Sequence, residues 1–254
     1  MDLSGKTALV TGAARRVGKA VALGLARRGA DVVIHYNGSQ EAAERTAAEI
    51  AGLGVEAVPL GADLRHAREI ERLFLEIGER IGRLDVLVNS AASFRAARFE
   101  EISSEAWDEV MALNVRAPFL CSRLAASLMR RPSGKEDTGP DTGAIVNISD
   151  LSAYRPWPGY THHGASKAAL VHLTSSSALE LAPDIRVNCV IPGAILPPPG
   201  VDLESEEWRR RGESVLLGRT GNGKHVADAV VSLIENDFIT GAILPVDGGE
   251  RLLK

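Results

Sequence analysis

Two groups of residues in this 254-residue chain have the types and spacing to do chemistry. In the first, Tyr160, His163 and Lys167 stand at i, i+3 and i+7. On a helix these positions share one face, a turn apart, so a phenol, an imidazole and an ammonium are presented together. The adjacent His162 and His163 point to different faces, and no Cys or carboxylate cluster completes a shell, so no metal is expected there. The second group is Lys6 to Ser39, KTALVTGAARRVGKAVALGLARRGADVVIHYNGS. An apolar run, Thr7 to Val10, leads into a turn bounded by Gly12 and Gly18. Val17, Val21, Ala22 and Leu25 then recur at helical spacing up to Gly29, and Val32 to His35 is a second apolar run. Strand, glycine turn, helix, strand is a mononucleotide-binding unit, whose unpaired N–H groups at the helix N-terminus can hold a pyrophosphate. The G-x-G-x-x-G spacing is absent, and an ordinary strand-to-helix turn also fits the two glycines.

The end of the second strand narrows the ligand. NAD-binding units place an acid there for the ribose hydroxyls. This chain has His35-Tyr36-Asn37-Gly38-Ser39, with no acid. Arg16 supplies a guanidinium and Asn37 and Ser39 supply donors, a set suited to a 2′-phosphate and hence to NADP(H). A solvated surface arginine is the other reading of Arg16.

The rest of the chain supplies the elements that position these groups. Residues Ser39 to Ala51 are helical, with Ala43, Ala47 and Ile50 on one face. Val55 to Leu60 is a third strand ending at Gly61-Ala62-Asp63, and Ile70, Leu73, Phe74 and Ile77 mark a helix. Leu84 to Val88 is a fourth strand. A long helix follows from Ser104 to Arg130, with Trp107, Val110, Met111, Leu113 and Leu120 as core candidates. Polar Pro132 to Gly143 reads as an exposed loop before strand Ala144 to Ser149. Helix Tyr160 to Leu181 and strand Ile185 to Ile191 come next. An irregular stretch, Ala194 to Leu217, carries a short charged helix around Trp208; helix Lys224 to Glu235 and strand Ala242 to Val246 close the chain. Seven strands alternating with helices predict one α/β domain over residues 1–254. It is a Rossmann-type, doubly wound, mainly parallel sheet covered on both faces, with its ligand crevice at the C-terminal strand ends.

Composition sets the class. The apolar fraction of 45% and charged fraction of 24% are those of a globular domain. A net charge of −4 argues against a nucleic-acid or anionic-membrane partner. No apolar run reaches membrane-spanning length, and the N-terminus lacks the basic-then-apolar pattern of a signal peptide. Cys121 and Cys189 are far apart and flanked by apolar residues, as buried free thiols in a reducing, cytoplasmic setting would be.

In order along the chain stand Thr11-Gly12…Gly18, Asp63, Asn89-Ser90-Ala91-Ala92, Asn114, Asn147-Ile148-Ser149, Lys167, Pro192-Gly193 and Thr240-Gly241…Val246-Asp247-Gly248-Gly249. This pattern resembles the short-chain dehydrogenase/reductase family over essentially the whole chain. Within it the chain looks most like the pteridine reductases. The features are Thr-Gly-Ala-Ala-Arg-Arg-Val-Gly, His35-Tyr36 closing the second strand, Val88-Asn89-Ser90-Ala91-Ala92-Ser93-Phe94, and Asp150 where most members have serine.

The resemblance implies hydride transfer between NADP(H) and a small carbonyl or pteridine-like substrate. It implies a catalytic set of Asn114, Asp150, His163 and Lys167. His163 stands where the family has its tyrosine, the acid or base, and Lys167 is the lysine that binds the nicotinamide ribose. The expected cofactor contacts are Gly12, Arg16, Val17, Gly18, Tyr36, Asn37, Ser39, Asp63, Leu64, Asn89, Ala91, Lys167, Pro192 and Gly193. The expected substrate contacts are Asp150, Tyr160, Phe94 and Trp157, the last two as rings to stack on a flat substrate. The stretch 194–217 is the expected lid, and a homotetramer is the expected assembly. Because histidine replaces tyrosine at 163, two readings stay open. One is an NADPH-dependent reductase; the other is a catalytically weakened NADP(H)-binding sensor or assembly protein.

Overall fold

The computed structural model describes residues 1–130, 142–198 and 200–253. Its strands are β1 (Thr7–Val10), β2 (Asp31–Tyr36), β3 (Ala57–Gly61), β4 (Val86–Asn89), β5 (Gly143–Ile148), β6 (Ile185–Pro192) and β7 (Ile243–Val246). They form one sheet in the order β3-β2-β1-β4-β5-β6-β7, with every neighbouring pair parallel. The order reverses at β1, which pairs with β2 on one side and β4 on the other. A crevice for a ligand opens at such a switch point.

Helices cover both faces, so the inner strands are apolar at nearly every position. Successive residues of β1 serve opposite cores: Ala8 and Val10 pack on one side, Leu9 on the other. The first core takes helices α1 (Arg16–Ala26) and α2 (Gln40–Ala51) and, from near the C-terminus, α8 (Gly223–Glu235). Helices α1 and α8 touch closely enough that a Cβ on Gly24 would lie 2.9 Å from that of Ala227. The second core takes α3 (Ala67–Arg80), α5 (Ala117–Met129) and α6 (Thr161–Leu181). Between α5 and β4 lies α4 (Ser104–Met111), capped by the Ser103 hydroxyl, and the short α7 (Glu206–Glu213) follows β6. Among the described residues no helix is long and apolar enough to cross a membrane.

Several bounds differ from the sequence expectation. The third strand starts at Ala57, not Val55, and the sixth extends to Pro192. Gly143 belongs to β5, while residues 132–141 of the expected loop lie outside the described residues. Tyr160 precedes α6 as its N-cap. Trp107 is 37% exposed and not core, because it sits on the outer face of α4. The long helix is not uniform: Ala112–Arg116 form a π turn between α4 and α5. Pro118 gives the reason. It has no N–H for the carbonyl of residue 114, and its ring crowds that carbonyl, so the helix widens by one residue. The widened turn holds Asn114.

Candidate active site

The cofactor end is built on the turn after β1. Gly12 has φ +67°, and a Cβ there would lie 3.0 Å from the Ala91 Cα. At Gly18 a Cβ would meet the Gly12 carbonyl oxygen at 2.3 Å. Only glycine permits this approach, and it leaves bare backbone facing the cleft. Three side chains hold the turn. Thr11 Oγ1 accepts from the N–H groups of Ser90 and Ala91, tying it to the end of β4. His35 accepts from Gly12 N–H through Nδ1 and, as the complementary tautomer, donates from Nε2 to the Ala62 carbonyl. Burial lowers the His35 pKa to about 4, which keeps the ring neutral as both bonds require. Arg16, at φ +56°, donates to the Pro197 carbonyl at 2.7 Å and so joins the turn to the segment after β6.

From this turn a cleft of about 640 Å³ runs along the strand ends. One end carries Arg15, Arg16 and Asn37. The acid at that end, Asp63, is held by fork-like bonds from Arg65 at 2.6–3.1 Å, and this partner lowers its pKa. The local field is therefore positive, which suits a phosphate. Val17, Leu64 and Ala91 give this half apolar wall, and Pro192 and Gly193 close it from β6.

At the other end stand Ile148, Ser149, Asp150 and Lys167. Lys167 Nζ donates to the Ile148 carbonyl at 2.9 Å, while Ser149 Oγ donates back to the Lys167 carbonyl, so α6 and the end of β5 are locked. Burial lowers the Lys167 pKa, and the Asp150 charge works against that. Asp150 caps the one-turn helix Leu151–Ala153. Its Oδ1 accepts from the Ser152 N–H and, in a short bond, from the Ser152 hydroxyl. Its Oδ2 lies 2.7 Å from His163 Nε2. Burial raises the Asp150 pKa, but the His163 bond, the Lys167 charge and the Ser152 hydroxyl together outweigh it and bring the value to about 2.

The proton count on His163 follows from its partners. Nδ1 lies 2.9 Å from the Ser93 carbonyl, which can only accept. The Asn114 amide is oriented because its Oδ1 accepts from Ser93 N–H, and its two N–H bonds go to the Ser93 carbonyl and Ser166 Oγ. The Asn114 amide also comes within 3.5 Å of Nδ1, but the Ser93 carbonyl is the closer partner at 2.9 Å and calls for a proton on Nδ1. Facing an ionised Asp150, Nε2 carries one too. The geometry suits an imidazolium paired with a carboxylate. It is also covered: its side chain is 1% exposed against 19% for Asp150. Phe94 stands edge-on above it at 4.9 Å, and Tyr160 stacks on Phe94 at 4.6 Å.

The substrate end is aromatic. Phe94 and Trp157, edge to face at 6.3 Å, share it with Leu113, Leu196 and Trp208. Trp208 reaches it from α7, packed on Ala194 and Val215. The same helix is fixed by a short Arg211–Glu250 ion pair, and Glu250 also accepts from Ala194 N–H.

A family model described as enoyl-(acyl carrier protein) reductase, of the short-chain dehydrogenase class, matches residues 12–250. The chain belongs to the short-chain dehydrogenase/reductase family. A 3-oxoacyl-[acyl-carrier-protein] reductase, FabG, of Staphylococcus aureus is 34% identical over 247 residues, 96% of this chain and 97% of the relative. A dehydrogenase/reductase from Sinorhizobium meliloti 1021 superposes with TM-score 0.87 at 38% identity, covering 98% of this chain and 97% of its own. FolM alternative dihydrofolate reductase 1 from Brucella canis, solved with NADP, gives 0.88 at 32% identity, covering 100% and 97%.

Against the short-chain reductase pattern, the fold gathers most of the expected residues in one cleft. Gly12, Arg16, Val17, Gly18, Asn37, Asp63, Leu64, Ala91, Lys167, Pro192 and Gly193 line it, as do Asp150, Phe94 and Trp157. Six do not. Tyr36 packs against Gly61, Ser39 stands at the start of α2, and Asn89 is buried with its amide on Asn147 and Ser122. Asn114 and His163 lie beneath the floor, and Tyr160 lies behind Phe94. The sequence reading missed Arg15, the structural role of His35, and the Arg211–Glu250 pair. Arg15 adjoins Arg16 in the glycine turn, a signal that was present. Among the described residues no group of three or more His, Cys, Asp or Glu could hold a metal ion.

Proposed function

We propose that this short-chain reductase uses NADPH to transfer hydride to a small, flat, pteridine-like ring carrying a C=N bond, in preference to a simple ketone. The ionised Asp150 in the cleft carries the reading. A hydroxyl at this position can donate to a carbonyl oxygen. A carboxylate held at a pKa of about 2 is ionised at rest and accepts, so it repels a developing alkoxide and welcomes a ring N–H or amino group. The rings of Phe94, Trp157 and Trp208 suit a planar partner. The dihydrofolate reductase neighbour supports a nitrogen heterocycle; the 3-oxoacyl relative supports the reductase chemistry but a different substrate.

The cleft fits the cofactor. The close-packed glycine turn offers bare backbone to a pyrophosphate, Arg15, Arg16 and Asn37 would hold a 2′-phosphate, and Lys167 would hold the nicotinamide ribose. Once bound, NADPH supplies the hydride. Residues 194–217 would act as the lid, anchored through Arg16 and Arg211. A homotetramer in the cytoplasm is the proposed setting.

Steady-state NADPH oxidation against dihydropteridines, quinones, simple ketones and a 3-oxoacyl thioester tests this. The ring substrate should give the highest kcat/KM; a preference for the thioester or ketones refutes it. The burial of His163 favours a second reading, an NADP(H)-binding protein without turnover. Saturable NADPH binding with no oxidation of any acceptor would establish that one.

A further inference from the structure

The group that must lose a proton and the group that meets the substrate are different residues here. His163 is placed to hold a proton on each ring nitrogen but is sealed beneath Phe94. Asp150 faces the cleft and is bonded to His163 at 2.7 Å. We propose that Asp150 hands the proton to the substrate and that the buried His163 is the reservoir that loads it. The inference rests on the reading of the site as a reductase of a ring C=N bond.

Hydride from the bound cofactor bonds to the ring carbon, and the C=N π pair moves onto the ring nitrogen. Asp150 Oδ2 takes the Nε2 proton of His163 across the 2.7 Å bond and passes that same proton to the ring nitrogen. The carboxylate is regenerated and the imidazole is left neutral, with its Nδ1–H still on the Ser93 carbonyl. A proton from solvent then restores the imidazolium.

The surroundings support transfer along this line. The titratable groups near His163 are Asp150 after β5, Tyr160 at the cap of its own helix with its ring 6.2 Å away, and Lys167 and His162 on that helix. From the β4 loop and the π turn it meets neutral groups, the Ser93 carbonyl and the Asn114 amide. Burial and the His163 charge both lower the pKa of His162, so that ring does not compete for the proton. Lys167 is turned to the Ile148 carbonyl. The Ser152 donors hold Asp150 Oδ1, which leaves Oδ2 as the oxygen on the transfer path. His163 is thus a positioning and loading residue, and Asp150 the one that touches the substrate.

The test separates hydride from proton. A neutral cyclic imine needs both; its N-methyl iminium salt needs hydride alone. His163→Gln should lower kcat/KM for the imine by about 10²–10⁴-fold while keeping the iminium within a few-fold and leaving NADPH binding unchanged. Equal losses on both compounds would make His163 merely structural, and no loss on either would put the proton source elsewhere; each overturns the proposal. His163→Tyr, which places a phenol at the family's donor position, should recover imine reduction if the loss was one of proton supply. An independent readout is ¹⁵N NMR of the cofactor-free chain. The parent should show a His163 ring protonated on both nitrogens at pH 7, and Asp150→Asn a singly protonated one. A neutral ring in the parent overturns the reservoir whatever the substrate. A parent with the imidazolium present that reduces neither compound refutes the ring-substrate reading instead.

Discussion

Replacing Asp150 by asparagine should cost stability in a way that depends on pH. The shape is nearly kept, but the carboxylate that pairs with His163 and faces Lys167 is gone. In the folded chain the Asp150 pKa is about 2 against 3.8 for the unfolded group. The folded state therefore favours the ionised form, and each pKa unit corresponds to about 1.36 kcal/mol. The contribution is fully present above the unfolded value, at about 2.4 kcal/mol near pH 6. As pH falls from about 4 towards 2 the unfolded carboxyl takes up its proton first, and the contribution shrinks to about 1.3 kcal/mol at pH 3. The side chain is 81% shielded from solvent by its surroundings, being 19% exposed, so little is lost to screening. Urea unfolding of parent and Asp150→Asn at pH 6, 5, 4 and 3 measures the gap. It should narrow by roughly half from pH 6 to pH 3. A gap that stays constant would assign the loss to packing, and no gap at pH 6 would refute the ion pair as a source of stability.

Arg16→Ala should raise the Kd for NADPH roughly 10–150-fold, the worth of a charge-assisted phosphate bond, and leave NADH binding nearly unchanged; isothermal titration with both cofactors reads the difference. The His35 pKa is lowered to about 4 from 6.5. Between those values the unfolded chain takes up a proton that the folded chain refuses, so stability should fall by up to about 3 kcal/mol as pH drops from 7 to 4. His35→Phe should flatten that slope in the same urea series, at the expense of an unpaired Gly12 N–H. Light scattering at micromolar concentration should return a mass near four chains; a mass near the 27.0 kDa of one refutes the tetramer.

The sheet was legible because its signals are local. Thr7 to Val10 and Ala144 to Ile148 are apolar runs of strand length, and Val21, Ala22 and Leu25 keep a helical period. The glycine turn was legible from Gly12 and Gly18, although their reason for being glycine, the approach of Ala91 from β4, is not local at all. The π turn left a trace in Asn114 and Pro118, four apart inside a helix, but periodicity averages over one extra residue. Depth was the property least visible. Tyr160, His163 and Lys167 share a face by spacing, yet spacing does not say that Phe94, far back in the chain, covers one and leaves another at the cleft. His35 reads as one polar residue ending an apolar strand. Its work appears only when Gly12 and Ala62 arrive on either side of the ring.

The residues at 150 and 163 make sense as a pair. A phenol beside Lys167 stores its proton as a neutral acid, and the ammonium stabilises the anion left behind. An imidazole stores its extra proton as a cation, which the same ammonium disfavours, so histidine at 163 needs a counter-charge. Asp150 is that counter-charge, placed between the two cations and hydrogen-bonded on both oxygens. With aspartate present, the charges within the site sum to one positive, as they would with a serine, a phenol and the same lysine. The charge that histidine can add at 163 is therefore offset by the carboxylate already expected at 150. Asp150, a pteridine-reductase feature in its own right, is bonded directly to the residue that replaces the phenol, so the site keeps a path from the buried ring to the cleft.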